Sequence, residues 1–350
     1  MRSSLLADAP AIREPRHAPV AHVTRGGLIE GVHHGSVVVL DGDGHVRLAL
    51  GDVEAACYPR SALKPVQAVA MVRAGLPLDG ALLALAMGSH SGEERHLAGV
   101  RRILELAGLT EADLRNVPDL PYGCAVRDAW ARAGRGPSRL AQNCSGKHAA
   151  MLYLCRLSGW PLETYLEADH PLQRAIAEVV GELTGQRIAA VSVDGCGAPL
   201  FSVSLHGLAR AAARIATAAP DTAEHRVAHA LRRHPEMASG TGRDTAAMMR
   251  AVPGLLAKDG FEGVHVAALP DGRAVAVKIA DGAERARIPV TAAALARAGV
   301  EPRLLTGFGG GTTTGGGRPV GGVRPVPALA PPTDALASAA AAAAPAPRPT

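Results

Sequence analysis

Residues 20–52 read VAHVTRGGLIEGVHHGSVVVLDGDGHVRLALGD. Apolar and β-branched runs in this stretch are punctuated twice, by His34-Gly35 and by Asp41-Gly42-Asp43-Gly44. The second break is hairpin chemistry, because Asp-Gly supplies the backbone freedom a tight reversal needs. An antiparallel sheet is expected to begin here. Past Ser61 the period changes: SALKPVQAVAMVRAG, residues 61–75, places Leu63, Val66 and Val69 or Ala70 on one helical face and closes on Gly75 as a C-cap. Helical spacing continues in residues 93–109, 147–159, 171–184 and 205–218, with short strand-like pieces at 187–197 and 199–205. Strand character returns at 263–268 and 273–280, followed by a helix over 289–298. Strands, then helices, then strands argue for an α+β fold, with an antiparallel sheet built from both chain ends and a helical subdomain between them. Residues 318–326, RPVGGVRPV, are expected to form a last edge strand.

Three segments follow from this pattern. Residues 1–19, rich in Ala, Pro and Arg without periodicity, read as a flexible leader; residues 20–325 form the folded domain; residues 326–350, rich in Ala and Pro, read as a disordered tail. A chain of 350 residues with 47% hydrophobic side chains buries a full core, as an enzyme-sized globular protein does. The net charge of +5 comes from dispersed arginines interleaved with acids, and aromatic content is 3%. Without basic blocks or stacking platforms, nucleic acid is not an expected partner. No stretch reads as a signal peptide or a membrane span, and five cysteines without a compact framework fit reduced thiols, so the expected location is cytoplasmic.

The first chemical candidate is Ser61-Ala62-Leu63-Lys64, preceded by Arg60. A serine hydroxyl is a weak nucleophile, and a lysine one helical turn later shares its face and, once neutral, accepts its proton. The competing reading is a surface serine beside a solvated lysine. Its place, opening a helix after a strand region, matches the Ser-x-x-Lys of β-lactamase-like serine enzymes. Lys258-Asp259-Gly260 resembles their Lys-x-Gly on a strand lining the site, and is equally good turn chemistry. In Gly88-Ser89-His90-Ser91-Gly92-Glu93, Ser89 is assigned to proton relay or substrate and Ser91 to capping the following helix. Cys144 and Cys196, in Gly-containing turns, could converge on Zn²⁺ with a nitrogen from Lys147 or His148 plus water; buried structural thiols, or a nucleophilic Cys144, are the other readings.

These pieces occur in order together with RGGLIEGVHHGS (25–36), YPRSALKPVQA (58–68), SHSGE (89–93), QNCSGKHAAML (142–152), VDGCGAPLFSVSLHGLARA (193–211), GTGRDTAAMM (240–249), KDGFEGV (258–264) and VKIADGAERA (277–286). In this set, spanning roughly Val23 to Arg287, the chain resembles the zinc-containing asparaginases of the Rhizobium etli type. The resemblance implies a serine β-lactamase/glutaminase-like fold, a homodimer and hydrolysis of L-asparagine to L-aspartate and ammonia. It implies Ser61 as nucleophile with Lys64 as base, a second pair at Ser89 and Lys258, and a zinc site of Cys144, Lys147, Cys196 and water. Arg60, His148 and Asp194 then fall beside the site as substrate-binding or ligand-orienting groups. Lys278 is the rival to Lys258, which is preferred because a Gly follows it at the right spacing. A glutaminase or another β-lactamase-like amidohydrolase, and a non-catalytic zinc-stabilised amino-acid-binding protein, are the alternative functions.

Overall fold

The computed structural model describes residues 14–330. Twelve strands form: β1 Ala18–Arg25, β2 Leu28–Leu40, β3 Val46–Leu50, β4 Ala56–Cys57, β5 Val191–Val193, β6 Pro199–Phe201, β7 Val203–Ser204, β8 Leu256–Gly260, β9 Val264–Ala268, β10 Ala274–Ile279, β11 Thr312–Gly315 and β12 Arg318–Pro325. The helices are α1 Lys64–Arg73, α2 Gly80–Ala86, α3 Glu94–Leu106, α4 Cys124–Arg132, α5 Ser145–Ser158, α6 Pro171–Thr184, α7 Leu205–Ala216, α8 Ala223–Arg233, α9 Pro235–Ala238, α10 Asp244–Ala251 and α11 Glu284–Arg297. The main sheet runs β11-β12-β1-β2-β10-β9-β8, and every neighbouring pair is antiparallel. Strands from both chain ends thus share one sheet, with the helices of 64–251 between them in sequence, so the fold is α+β.

The 13 residues of β2 hold this sheet together. Along one edge the first half pairs with β1 and the second half with β3, while β10 runs along the other edge. His34-Gly35 does not break the strand, contrary to the sequence expectation. Gly35 is needed inside it because a Cβ there would collide with the Lys278 carbonyl of β10. The true reversal is Gly26-Gly27, both at positive φ, between β1 and β2. Helices α7 and α11 pack on β10, which is buried on both faces except at half-buried Lys278.

Several boundaries move. β1 opens at Ala18, two residues inside the expected leader, and residues 1–13 lie outside the described residues. β12 is covered on both sides, by β1 and by β11; the edge strand is β11, formed by the Thr run of the Gly-rich segment. Residues 327–329 form a short 3₁₀ turn with Leu329 buried, so the expected tail boundary at 326 falls too early; residues 331–350 lie outside the described residues. α11 starts at Glu284, five residues before the expected start at 289, and carries Pro289 in its interior. α1 is buried on every side from Lys64 to Val72 rather than along one stripe.

Candidate active site

Ser61 sits in a 3₁₀ turn, Arg60–Leu63, that feeds α1. Arg60 enters this turn at φ +52°, one of three non-glycine residues with positive φ among the described residues. Such a conformation is costly for a residue with a Cβ and persists only where surrounding contacts enforce it. The contacts are visible: Arg60 Nε donates to Asp194 Oδ1 at 2.7 Å, and its guanidinium lies 5.7 Å from the Phe261 ring centroid. Phe261 precedes Glu262, φ +60°, and Gly263, φ +65°, in the reversal between β8 and β9. Against the same 3₁₀ turn lies Gly260 of β8, where a Cβ would collide with the Pro59 carbonyl and stand 3.2 Å from Ala62 N. Glycine there lets the edge strand of the sheet touch the start of α1.

Ser61, Lys64, Ser89 and Lys258 are 3, 2, 1 and 1% exposed, so two lysines are withdrawn from water beside two hydroxyls. Lys64 Nζ donates to the Gly88 carbonyl, to Ser89 Oγ at 3.2 Å and to Cys144 Sγ at 3.1 Å. Ser61 Oγ is not among these partners. The expected Ser61–Lys64 hydrogen bond is therefore absent here: the buried Lys64 Nζ takes the three acceptors that the loop after α2 and the start of α5 offer. Lys258 Nζ donates to Ser89 Oγ at 3.1 Å, to Asp259 Oδ1 at 2.6 Å and to the Asp259 carbonyl at 2.9 Å. Ser89 Oγ thus bridges the two amines. Burial pulls Lys258 down to about 8, although Asp259 beside it favours the ammonium. Asp259 itself is held well below the carboxylate range: burial would raise it, but Lys258, Arg243 and Arg287 together outweigh burial.

Lys278, the rival, donates to the Glu262 and Ile279 carbonyls at 2.5 and 2.7 Å and lines a small cavity with His17, Ser36 and Cys57. Lys258, not Lys278, reaches Ser89. Its tripeptide is a buried strand and not a turn. Ser91 is no helix cap: its hydroxyl donates to the Ser239 carbonyl, and Glu93 forms the cap of α3 in a reciprocal box with His96.

The cysteine constellation assembles next door. Cys144 is the N-cap of α5, Lys147 lies in its first turn, and Cys196 sits in the reversal between β5 and β6. All three are buried, and Lys147 Nζ lies 3.3 Å from Cys196 Sγ. Two ligands of one tetrahedral zinc, at about 2.1 and 2.3 Å from the ion, lie about 3.6 Å apart, so this spacing suits a shared metal. The pairing with Cys144, and then the Lys147 charge, drives Cys196 well below its ordinary value, while the same pairing and burial push Cys144 up to about 12 against the Lys64 and Lys147 charges. Burial alone would lower Lys147, yet the sulfurs of Cys196 and Cys144 raise it. The donor set of two sulfurs and an amine fits Zn²⁺, which would displace the protons they hold. His148 Nδ1 bonds Tyr165 Oη at 2.7 Å, while its Nε2 is buried without a partner among the described residues. Burial, then the Lys147 charge, keeps this imidazole neutral. Asp194 stays ionised despite burial because Lys147 and Arg60 face it.

Residues 21–325 match the model of the L-asparaginase II family. The chain belongs to that family. It is accordingly an amidohydrolase of the asparaginase type, acting on a small molecule. No curated protein sequence matched the chain. Solved structures to which it is similar include a β-lactamase from Mycobacterium bovis, at 15% identity and TM-score 0.39, covering 71% of this chain and 88% of that one. A Bacillus glutaminase follows at 14% identity and TM-score 0.32, with 71% and 84% covered. The protein Mglu is similar at 17% identity and TM-score 0.33, with 78% and 65% covered. Likeness this distant transfers no residue role.

For this L-asparaginase II family member, sequence reasoning missed Arg243 and Tyr122. Arg243 donates to Asp259 Oδ2 at 2.9 Å and to the Ser89 carbonyl at 3.4 Å, and stands 4.5 Å over the Tyr122 ring. A compositional signal was available for the lysines. The chain holds only four, Lys64, Lys147, Lys258 and Lys278, against thirty-three arginines. Arginine serves wherever a permanent charge suffices; lysine alone can lose its proton in a protein interior, so sparse lysines mark where that property is used. Three of the four converge on this site.

Proposed function

We propose that the protein is an L-asparaginase, hydrolysing L-asparagine to L-aspartate and ammonia through a serine ester. The observation that carries this reading is the chain Lys64–Ser89–Lys258, buried beside Ser61 in a member of the L-asparaginase II family. Ser61 is assigned as nucleophile by its Ser-x-x-Lys spacing to Lys64 at the start of α1, and Ser89, held between both amines, as the relay. Ser61 Oγ attacks the side-chain amide carbon and its proton passes to Lys64, a contact that tightens once substrate is bound. Ser89 relays protons between Lys64 and Lys258. The amide nitrogen takes that proton from Lys64 and leaves as ammonia; water then attacks the β-aspartyl ester, one of its protons passing through Lys64 to the departing Ser61 Oγ, which regains its hydroxyl. Arg60 and Asp194, paired with each other at 2.7 Å, are assigned to the carboxylate and ammonium of a free amino acid.

Cys144, Lys147 and Cys196 would hold zinc. When bound, the ion supplies a rigid tie between the start of α5 and the β5–β6 reversal, next to Lys64. A homodimer is part of the same reading. No helix among the described residues is long and apolar enough to cross a membrane.

The alternative of glutaminase activity differs by one methylene of substrate, worth only about 1–3 kcal/mol in a simple pocket. Ammonia release from L-asparagine, L-glutamine and turnover of a chromogenic lactam, compared on the zinc-loaded protein, test the reading. It expects kcat/KM highest for L-asparagine. Tight amino-acid binding with no turnover of any of the three would turn the assignment into that of a binding protein.

A further inference from the structure

Four hydrogen bonds close a ring that begins and ends on Ser89. Lys258 Nζ joins Ser89 Oγ to Asp259 Oδ1, at 3.1 and 2.6 Å. Arg243 joins Asp259 Oδ2, at 2.9 Å, to the Ser89 carbonyl at 3.4 Å. The Asp259 carboxylate therefore carries one cation on each oxygen, and it is buried with no other side-chain donor of its own. The arrangement has an electrostatic consequence. With Lys258 alone beside it, the buried carboxylate would keep that lysine an ammonium, since loss of the proton would strand an uncompensated charge. Because Arg243 cannot deprotonate, it balances Asp259 in either state of Lys258.

We propose that Asp259 and Arg243 are positioning residues of this site: Asp259 aims Lys258 at Ser89, and Arg243 offsets the Asp259 charge so that Lys258 can alternate between ammonium and amine. The proposal rests on the asparaginase reading above. Other charged or titratable groups around Lys258 are Lys64 on α1, Arg287 and Glu284 on α11, Asp244 at the start of α10, His265 on β9 and Tyr122. His265 is held neutral by burial and by Arg287, and Arg287 is tied to Asp244 and Glu284. Neither is substituted in the test. Burial lowers Lys258 to about 8; within the ring Asp259 opposes that lowering and Arg243 adds to it.

The test uses the small lysine count. In zinc-loaded protein labelled with ¹³C at lysine Cε, four resonances report the four lysines, and Lys258→Arg assigns the one of interest. The Lys258 titration midpoint and the acidic limb of kcat/KM are measured in the wild type, Arg243→Gln and Asp259→Asn. Removing Arg243 is expected to raise the midpoint by about one pH unit or more, and removing the Asp259 charge to lower it by a similar amount. In both variants kcat should fall about tenfold or more, with KM changing far less. Arg243→Lys keeps the charge but not the fork, so its midpoint should stay near wild type while kcat falls; it serves if Arg243→Gln does not fold, as Asp259→Glu does for Asp259→Asn, with a retained midpoint and reduced kcat. Midpoints that stay put in both charge-removing variants, or that move in the same direction, overturn the proposal. Opposite midpoint shifts in a protein whose wild type releases no ammonia would sustain the ring and remove the asparaginase reading, so the two failures are distinguishable.

Discussion

Lys258 sits at 1% exposure with a proton affinity that places its change of charge within reach of ordinary pH. Burial disfavours the ammonium and lowers the affinity; the relay needs the amine. As pH rises through about 8 the amine fraction grows, so kcat/KM is expected to climb through that region and level off above it. A pH–rate profile from 6 to 10, flanked by the flat residual profile of Lys258→Met, checks this. Lys258→Met itself should lose about 10²–10⁴ in kcat/KM, the usual worth of an acid–base group. At this scale the sequence was legible in part. Ser61, Lys64, Ser89 and Lys258 were picked out from local patterns; Lys64, Ser89 and Lys258 form one hydrogen-bonded chain, while Ser61 Oγ bonds none of them. The partner of Lys64 was not found, because a Ser-x-x-Lys spacing says only that two side chains share a helical face. Arg243 was missed for a related reason. Its role depends on Asp259, 16 positions further along the chain, and nothing local distinguishes it from thirty-two other arginines.

At the scale of elements, the site depends on how closely β8 approaches the 3₁₀ turn before α1. Gly260 makes that approach possible, and Gly35 does the same for β2 against β10. Alanine at either position forces backbones apart, a change that costs about 1–3 kcal/mol and sometimes more. Thermal unfolding of Gly35→Ala and Gly260→Ala should show similar losses of stability. Only Gly260→Ala should lose activity out of proportion, because it displaces Ser61 and Lys258 relative to each other. Equal residual activity in the two variants at a temperature where both are folded would contradict this. The same close approaches explain one error of sequence reading and one ambiguity. His34-Gly35 looked like a break, since glycine and histidine interrupt an apolar run, whereas the glycine answers to a neighbouring strand that the local sequence does not contain. Lys-Asp-Gly offered a turn for the same reason, yet it is a buried edge strand whose glycine faces the 3₁₀ turn.

For the whole molecule, the order of strands and helices along the chain was enough to give an α+β fold with one sheet drawn from both ends. The periods of β-branched runs carry that information over long stretches, and small shifts of boundary do not disturb it. The outermost strands were less legible: β11 is a Thr run among glycines, with no alternation to announce it. It pairs with its sequence neighbour β12, whereas the pairing of β12 with β1 joins the two ends of the described chain, from Ala21↔Pro325 to Arg25↔Gly321. Ending the chain after Gly311 should therefore expose the edge of β1 and abolish cooperative unfolding by circular dichroism, even though every site residue remains. The proposed zinc would act at this scale as well. A tie between α5 and the β5–β6 reversal should raise the melting temperature of the wild type on metal addition and have little effect on Cys196→Ser; metal analysis of the purified protein should find about one zinc per chain in the first and none in the second.

The central claim is that Ser61 forms an ester with the side-chain acyl group of L-asparagine. The most direct measurement is ammonia release from L-asparagine by wild type, Ser61→Ala and Ser89→Ala, with acid-quenched samples digested and the peptides weighed. Ammonia release by the wild type, a β-aspartyl adduct on the peptide containing Ser61, and loss of both in folded Ser61→Ala are expected. An adduct on Ser89, or a Ser61→Ala variant that still turns over, would contradict the account.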